Sequence, residues 1–71
     1  MKIDLHGVKH ADVQRKLDIF FWECMQKGVR QANVITGISP KMKEVVKSVC
    51  KEYGFEVFEL SINPGSLTVE F

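Results

Sequence analysis

The sequence has few of the residues that covalent cross-links and strongly charged surfaces require. Its 71 residues include two cysteines and two prolines, and ten basic residues stand against nine acidic ones. Cys24 and Cys50 fall on predicted apolar helix faces, which is typical of buried thiols in a reducing compartment, and the sequence leaves a disulfide between them open. Because the charges nearly balance, any basic site for nucleic acid must be a local patch.

Long apolar runs are also missing. No stretch of about 20 apolar residues occurs, so we expect no membrane-spanning helix. The first ten residues include Asp4 and no long apolar run, so we expect no secretory leader. These absences, with the free cysteines, favour a cytoplasmic location. A chain of 71 residues that is 45% hydrophobic and 27% charged predicts one globular domain, residues 1–71.

Hydrophobic periodicity predicts six elements in the order βαβαββ. The predicted strands cover about residues 2–5, 32–36, 56–62 and 67–71, and the predicted helices cover about residues 9–27 and 40–53. Right-handed crossovers make the first three strands parallel and place both helices on one face, while a closing hairpin makes the fourth strand antiparallel. We therefore expect an α/β fold, a two-layer α+β sandwich with a four-stranded mixed sheet.

The apolar positions of these elements predict one core between sheet and helices. Phe58 is expected to point inward from the third strand, together with Leu60 and Ile62. The expected core consists of Leu5, Leu17, Phe20, Val34, Val45, Val49, Phe58, Leu60 and Val69.

The stretch Asp4-Leu5-His6-Gly7 lies where the first strand gives way to the first helix. Strand side chains alternate, so Asp4 and His6 share one face and can act on one ligand. Gly7 allows a sharp exit or a close backbone approach. The alternative is a strand end with two solvated polar residues.

Parallel strands bring this stretch to the same sheet edge as Thr36-Gly37, where open α/β sheets bind ligands. Ser39 is expected to cap the second helix at that edge, and the helix N-terminus favours anions. Lys41 and Lys43 add positive charge beside it, so the arrangement predicts a phosphate site. The alternative is that Ser39 is only a cap and that both lysines are solvated.

At these residues the chain resembles the Smr domain, the small MutS-related module. Residues 4–7 match its D-L-H-G motif, residues 35–37 match its I-T-G segment, and residues 63–67 resemble the glycine-containing turn before its last strand. The resemblance covers essentially the whole chain. It implies a βαβαββ fold similar to the C-terminal domain of a translation initiation factor. It also implies binding of DNA or RNA and, in several members, DNA nicking or RNA cleavage with or without a metal.

We therefore expect a nucleic-acid-binding domain with endonuclease activity. Asp4 and His6 are the expected catalytic pair, which would orient or activate a nucleophile or protonate the leaving oxygen. A requirement for Mg²⁺ is left open. The expected nucleic-acid-binding residues are Gly7, Thr36, Gly37, Ser39, Lys41 and Lys43.

The chain departs from the family pattern in two places. The family usually has a basic residue and a second glycine after Thr-Gly, whereas this chain has Ile38 and Ser39 and a loop about one residue shorter. The family's small or polar residue near the start of the first helix is Lys9 here. A missing glycine restricts how closely backbone approaches a phosphate, so we expect weak catalysis more than weak binding.

Two other functions stay open. One is nucleic-acid binding without catalysis at the same edge. The other is a protein-interaction adaptor that uses the open sheet face and Trp22, which could instead stack on a base or be partly covered by a wide apolar helix face. His6 and His10 are four residues apart, but the change from strand to helix between them breaks the geometry of a ligand pair, so we expect no structural metal site.

Overall fold

Six elements follow one another in the predicted order, βαβαββ. The computed structural model describes residues 1–59 and 64–71. The elements are β1 (Lys2–Asp4), α1 (His10–Lys27), β2 (Gln31–Ile35), α2 (Pro40–Tyr53), β3 (Glu56–Phe58) and β4 (Ser66–Glu70). They form two layers, a four-stranded mixed sheet and two helices packed on one of its faces, as the sequence predicted.

The strands lie in the order β1-β2-β4-β3. β1 pairs with β2 in parallel, and β4 pairs antiparallel with both β2 and β3. The first three strands therefore run in one direction, which confirms the prediction. Because Asp4 is the register partner of Ile35, and Ile35 of Ser66, the ends of β1 and β2 and the start of β4 meet at one sheet edge.

The two helices begin in different ways, and the sequence explains both. α1 starts after Lys9, whose side chain makes no capping hydrogen bond, so α1 has a weak start. α2 starts after Ser39, whose hydroxyl accepts the backbone N–H of Met42 at 3.2 Å, with Pro40 at the first helical position. The second start is therefore fixed beside the edge where β1 and β2 end.

Apolar side chains from both helices and from the inner sheet face form one core. Leu17 of α1 is fully buried, as predicted, and both cysteines are buried free thiols. The buried apolar residues are Leu5, Val13, Leu17, Phe20, Phe21, Cys24, Ala32, Val34, Met42, Val46, Val49, Cys50, Leu67 and Val69.

A second contact joins the helices outside this core. The hydroxyl of Tyr53 in α2 donates a hydrogen bond to the carboxylate of Asp18 in α1, which also accepts from Gln14 at 2.9 Å. This hydrogen bond, more than desolvation, raises the pKa of Tyr53 to about 12. The hydroxyl therefore stays protonated, and able to donate this bond, well above neutral pH.

The predicted inward orientation of Phe58 is wrong. Phe58 is 42% exposed on the open face, whereas Val57 packs against the core. The pairing explains the difference, because Val57 lies opposite the buried Val69 and Phe58 lies opposite Thr68. The predictions for Leu60 and Ile62, and the predicted continuation of the third strand to residue 62, fall partly on residues 60–63, which lie outside the described residues.

Trp22 lies on the outer side of α1 and is 63% exposed, so a wide apolar face does not cover it. Within residues 1–59 and 64–71, no helix has both the length and the apolar character needed to cross a membrane.

Replacing Leu17 by Ala should lower the free energy of unfolding by about 2 to 5 kcal/mol, because the change leaves a cavity between helix and sheet. Met25→Ala is a control on the same helix, since Met25 is 49% exposed, and it should change stability by about 0.5 kcal/mol or less. Urea denaturation measures both. Equal losses for the two variants would contradict this assignment of the buried helix face.

Candidate functional site

An open cleft of about 520 Å³ lies where β1 and β2 end, on the sheet face that α1 and α2 leave uncovered. Three of the predicted site residues, Asp4, His6 and Gly37, line this cleft together. Among the described residues, the lining consists of Lys2, Asp4, His6, Asn33, Ile35, Gly37, Gly65 and Ser66. The structure therefore brings together the D-L-H-G stretch and the glycine that follows β2.

Asp4 fixes the path of the chain into the cleft. Its Oδ1 accepts the backbone N–H of His6 at 2.9 Å. A carboxylate that bonds the backbone two residues on forms an Asx turn, which sets the direction in which the chain leaves the strand. The hydrogen bond of Asp4 with His6 is thus to the backbone, and Asp4 orients the residue that carries the imidazole.

The imidazole of His6 lies against Gly37. A Cβ at position 37 would come within 3.1 Å of His6 Cδ2, and Gly37 has φ of 70°, a left-handed conformation. Glycine is the residue that meets both conditions without strain. A glycine here therefore allows the ring to rest on the backbone that follows β2.

Gly65 ties this backbone to the turn before β4. Its carbonyl accepts the N–H of Thr36 at 2.9 Å and the N–H of Gly37 at 3.0 Å. Thr36 is 2% exposed, and its hydroxyl donates to the Gly37 carbonyl at 2.7 Å. Thr36 is thus bound to the backbone of Gly37 and is not among the residues that line the cleft. Its predicted contact with nucleic acid stays a prediction. Gly7 is exposed and is not among the residues that line the cleft.

The start of α2 has fewer free donors than its position suggests. Pro40 has no N–H, and the N–H of Met42 is bound by Ser39 Oγ at 3.2 Å. Two positions of the first turn therefore offer no donor to an anion, which limits the site expected from a helix N-terminus.

The two predicted binding lysines lie apart from the cleft lining. Lys43 Nζ lies 2.8 Å from one oxygen of Glu59, whose other oxygen lies 3.3 Å from Lys47 Nζ. The side chain of Lys43 is 13% exposed, so it is held in place by this pair. Lys41 lines a different groove, between α1 and α2, with His10 among its neighbours. Contact of either lysine with nucleic acid stays a prediction.

Sequence reasoning missed four polar or small residues of the cleft, namely Lys2, Asn33, Gly65 and Ser66. Alternation along β1 puts Lys2 on the face of Asp4, so this residue could have been found from the same argument. Asn33 is the register partner of both Lys2 and Thr68, and it accepts from the Thr68 hydroxyl at 3.3 Å. Its place in the cleft depends on strand order.

The His, Cys, Asp and Glu side chains of the described residues do not form a dedicated metal site. Within residues 1–59 and 64–71, no group of three or more His, Cys, Asp or Glu side chains is arranged to hold a metal ion. Asp4 and His6 are the metal-ligating side chain types in the cleft lining. Mg²⁺ commonly binds through one or two carboxylates together with substrate phosphates, so Asp4 could contribute one ligand to an ion that arrives with nucleic acid.

Comparison with known proteins points to one family. The family model described as the Smr domain matches residues 3–60 of the chain, which include the D-L-H-G stretch, both helices and Thr36-Gly37. No curated protein and no solved structure gives a match.

Gly37→Ala should displace the His6 ring and lower stability. The left-handed backbone alone accounts for about 1 to 2 kcal/mol of the loss. Gly28→Ala is a matched control, because Gly28 has φ of 69° and a Cβ added there would meet nothing within 4 Å. The part of the stability loss in Gly37→Ala that exceeds the loss in Gly28→Ala should disappear when His6 is also replaced by Ala. Urea denaturation and the NMR signals of the His6 ring measure both effects, and unchanged ring signals in Gly37→Ala would contradict the contact.

The ion pairs of Glu59 with Lys43 and Lys47 predict that the free energy of unfolding changes with pH in the acid range. The hydrogen bond from Lys43, followed by that from Lys47, lowers the pKa of Glu59 below its ordinary value of 4.5. A carboxyl with a lowered folded pKa stabilises the fold above its unfolded pKa, and the stabilisation is lost as the pH falls through the folded value.

Glu59→Gln should therefore be less stable than the parent near neutral pH, and the difference should close as the pH falls below 4.5. Salt should also reduce the difference, because Glu59 and Lys47 are exposed. Glu52→Gln is the control, since Glu52 makes no ion pair among the described residues. Urea denaturation at several pH values is the measurement, and a constant difference across the acid range would refute the role of this pair.

Proposed function

Because the chain belongs to the Smr domain family, we propose that it binds nucleic acid in the cleft where β1 and β2 end and cleaves a phosphodiester bond there. The family is one of nucleic-acid-binding and endonuclease-type domains. The observation that carries the proposal is the position of His6, whose ring rests on Gly37 in a cleft that also contains Asp4 and Lys2.

The cleft offers several groups to a phosphate. Lys2 supplies a positive charge, and Asn33 and Ser66 supply an amide and a hydroxyl on the same face. Hydrogen bonds from such groups to phosphate oxygens position a nucleic acid without reading its sequence. With a single lysine in the lining, binding should be moderate and should weaken as salt rises.

His6 is the group we assign to proton transfer. Hydrolysis of a phosphodiester forms a bond from phosphorus to the attacking oxygen and breaks the bond to the leaving oxygen, so one proton is removed and one is supplied. An imidazole changes protonation in the neutral range and can serve at either oxygen. Asp4 acts as a positioning residue, because it bonds the His6 backbone at 2.9 Å.

Mg²⁺ would supply charge neutralisation at the phosphate when it is bound. The chain's contribution would then be Asp4 as one oxygen ligand. Lys2 and His6 would still hold the phosphate and carry the proton.

A second candidate is nucleic-acid binding without cleavage. The Asp4 contact favours it, because the hydrogen bond that the carboxylate accepts comes from the His6 backbone and not from its ring. In triads the carboxylate bonds the imidazole, fixes its tautomer and stabilises the imidazolium. An imidazole without that support is a weaker catalyst.

The test uses labelled single-stranded and double-stranded DNA and RNA, each incubated with the domain in Mg²⁺ and in a chelator. His6→Ala should lower the cleavage rate by about 100-fold or more while binding is retained. His10→Ala is a matched control, since His10 is exposed and lines the groove between the helices. It should leave both cleavage and binding unchanged.

The outcomes separate the two candidates. Cleavage by the parent that is lost in His6→Ala supports the enzyme, and salt-dependent binding without cleavage supports the binding module. Cleavage that survives in His6→Ala at its full rate would overturn the assignment of His6. Absence of binding to all four substrates would overturn both candidates.

A further inference from the structure

β1 lies at the outer edge of the sheet, and in the described part of the chain it pairs with β2 alone. The N–H of Leu5 donates to the Ile35 carbonyl at 2.7 Å, so the odd-numbered residues here direct their backbone groups toward β2. Backbone groups alternate along a strand, so those of Lys2 and Asp4 point toward the outer edge. Such an edge is a template for a further strand.

We propose that this edge binds the same edge of a second copy of the chain, as an antiparallel pair of β1 strands about a two-fold axis at Ile3. In this register Lys2 of each copy lies opposite Asp4 of the other. The two symmetric Lys2–Asp4 pairs are hydrogen-bonded pairs of the ladder, because the backbone groups of both residues point outward. Opposite charges on facing residues stabilise antiparallel strands. β1 is therefore complementary to itself, as a closed two-fold interface requires.

The pattern of charged and apolar side chains on α1, the helix beside β1, fits the same two-fold axis. A groove between β1 and α1 is lined by Ile3 and Asp4 of β1 and by Lys16, Ile19, Phe20 and Glu23 of α1. Along the helix, Lys16 and Glu23 lie on either side of the apolar pair Ile19-Phe20. Ile19 is 56% exposed although its side chain is fully apolar. The two-fold axis would place α1 of the two copies antiparallel, with Ile19 near the axis and Lys16 of each copy facing Glu23 of the other.

The agreement between strand and helix favours a second copy over an unrelated partner. An unrelated strand could bond the Lys2 and Asp4 backbone, but it would need its own matching charges for Lys16 and Glu23 at the same spacing. One two-fold axis through the middle of the groove satisfies all four charges at once, because the symmetry repeats each ion pair on the other side of the axis. The apolar contacts of β1 and α1 lie between these ion pairs.

The dimer also changes the cleft. Asp4 lines the candidate cleft, so Lys2 of the second copy would lie beside it. By the same symmetry Asp4 of the second copy would lie beside this chain's Lys2, so each cleft would gain one positive and one negative charge from the other chain. The proposed dimer is inferred from the strand edge and the groove, independently of nucleic-acid binding. Its test therefore measures mass and contacts without nucleic acid.

Sedimentation equilibrium over a range up to about 1 mM tests the association, since a dimer with a Kd of about 1 mM or below is well populated at that concentration. The parent should approach twice the 8.1 kDa mass of one chain. Lys16→Glu and Glu23→Lys should each weaken the dimer by about tenfold, because like charges then face each other in two symmetric places. The double variant Lys16→Glu/Glu23→Lys should restore it.

Ile19→Asp should abolish the dimer, and Met25→Asp is its control, because Met25 is 49% exposed on α1 and is not among the residues that line this groove. NMR spectra recorded on dilution should change at β1 and along residues 16–23. A parent that stays monomeric at about 1 mM would overturn the proposal. So would a dimer that the double charge swap fails to restore, or one whose dilution changes lie elsewhere, for example around Phe58.

Discussion

The parallel pairing of β1 with β2 is the interaction on which the site depends. The Leu5 N–H meets the Ile35 carbonyl at 2.7 Å, so the two strands end side by side. His6 then follows one strand and Gly37 follows the other, close enough for ring and backbone to touch. Parallel pairing requires α1 to carry the chain back to the end of the sheet at which β1 begins. The burial of Leu5 and Leu17 holds that helix on the sheet.

Local signals explain the parts of the fold that the sequence could predict. Helix faces follow from the spacing of apolar residues, and the start of α2 follows from Ser39-Pro40, whose cap the structure contains. The parallel direction of β1 and β2 follows from the helix between them. Direction alone was enough to bring Asp4, His6 and Gly37 to one edge, so part of the cleft could be inferred from the sequence.

The parts that could not be predicted depend on contacts between distant residues. In the third strand both alternating sets contain apolar side chains, and the pairing of Val57 with Val69 decides that Phe58 faces outward. Lys43 has the sequence context of a mobile surface charge, and its partner Glu59 lies 16 residues away along the chain. Ser66 enters the cleft because β4 lies next to β2, and no local pattern indicates strand order.

The place of β4 has a consequence for how the sheet assembles. β4 follows β3 along the chain but lies between β2 and β3 in the sheet, so β3 has no described neighbour in the sheet until β4 is present. During synthesis, β1, α1 and β2 can associate as soon as they emerge, whereas β3 must wait for residues 66–70. The Gly65 carbonyl that holds Thr36 and Gly37 arrives at the same late stage. The scaffold on which the His6 ring rests is therefore completed by the turn and strand that follow β3, which couples formation of the cleft to the pairing of β4.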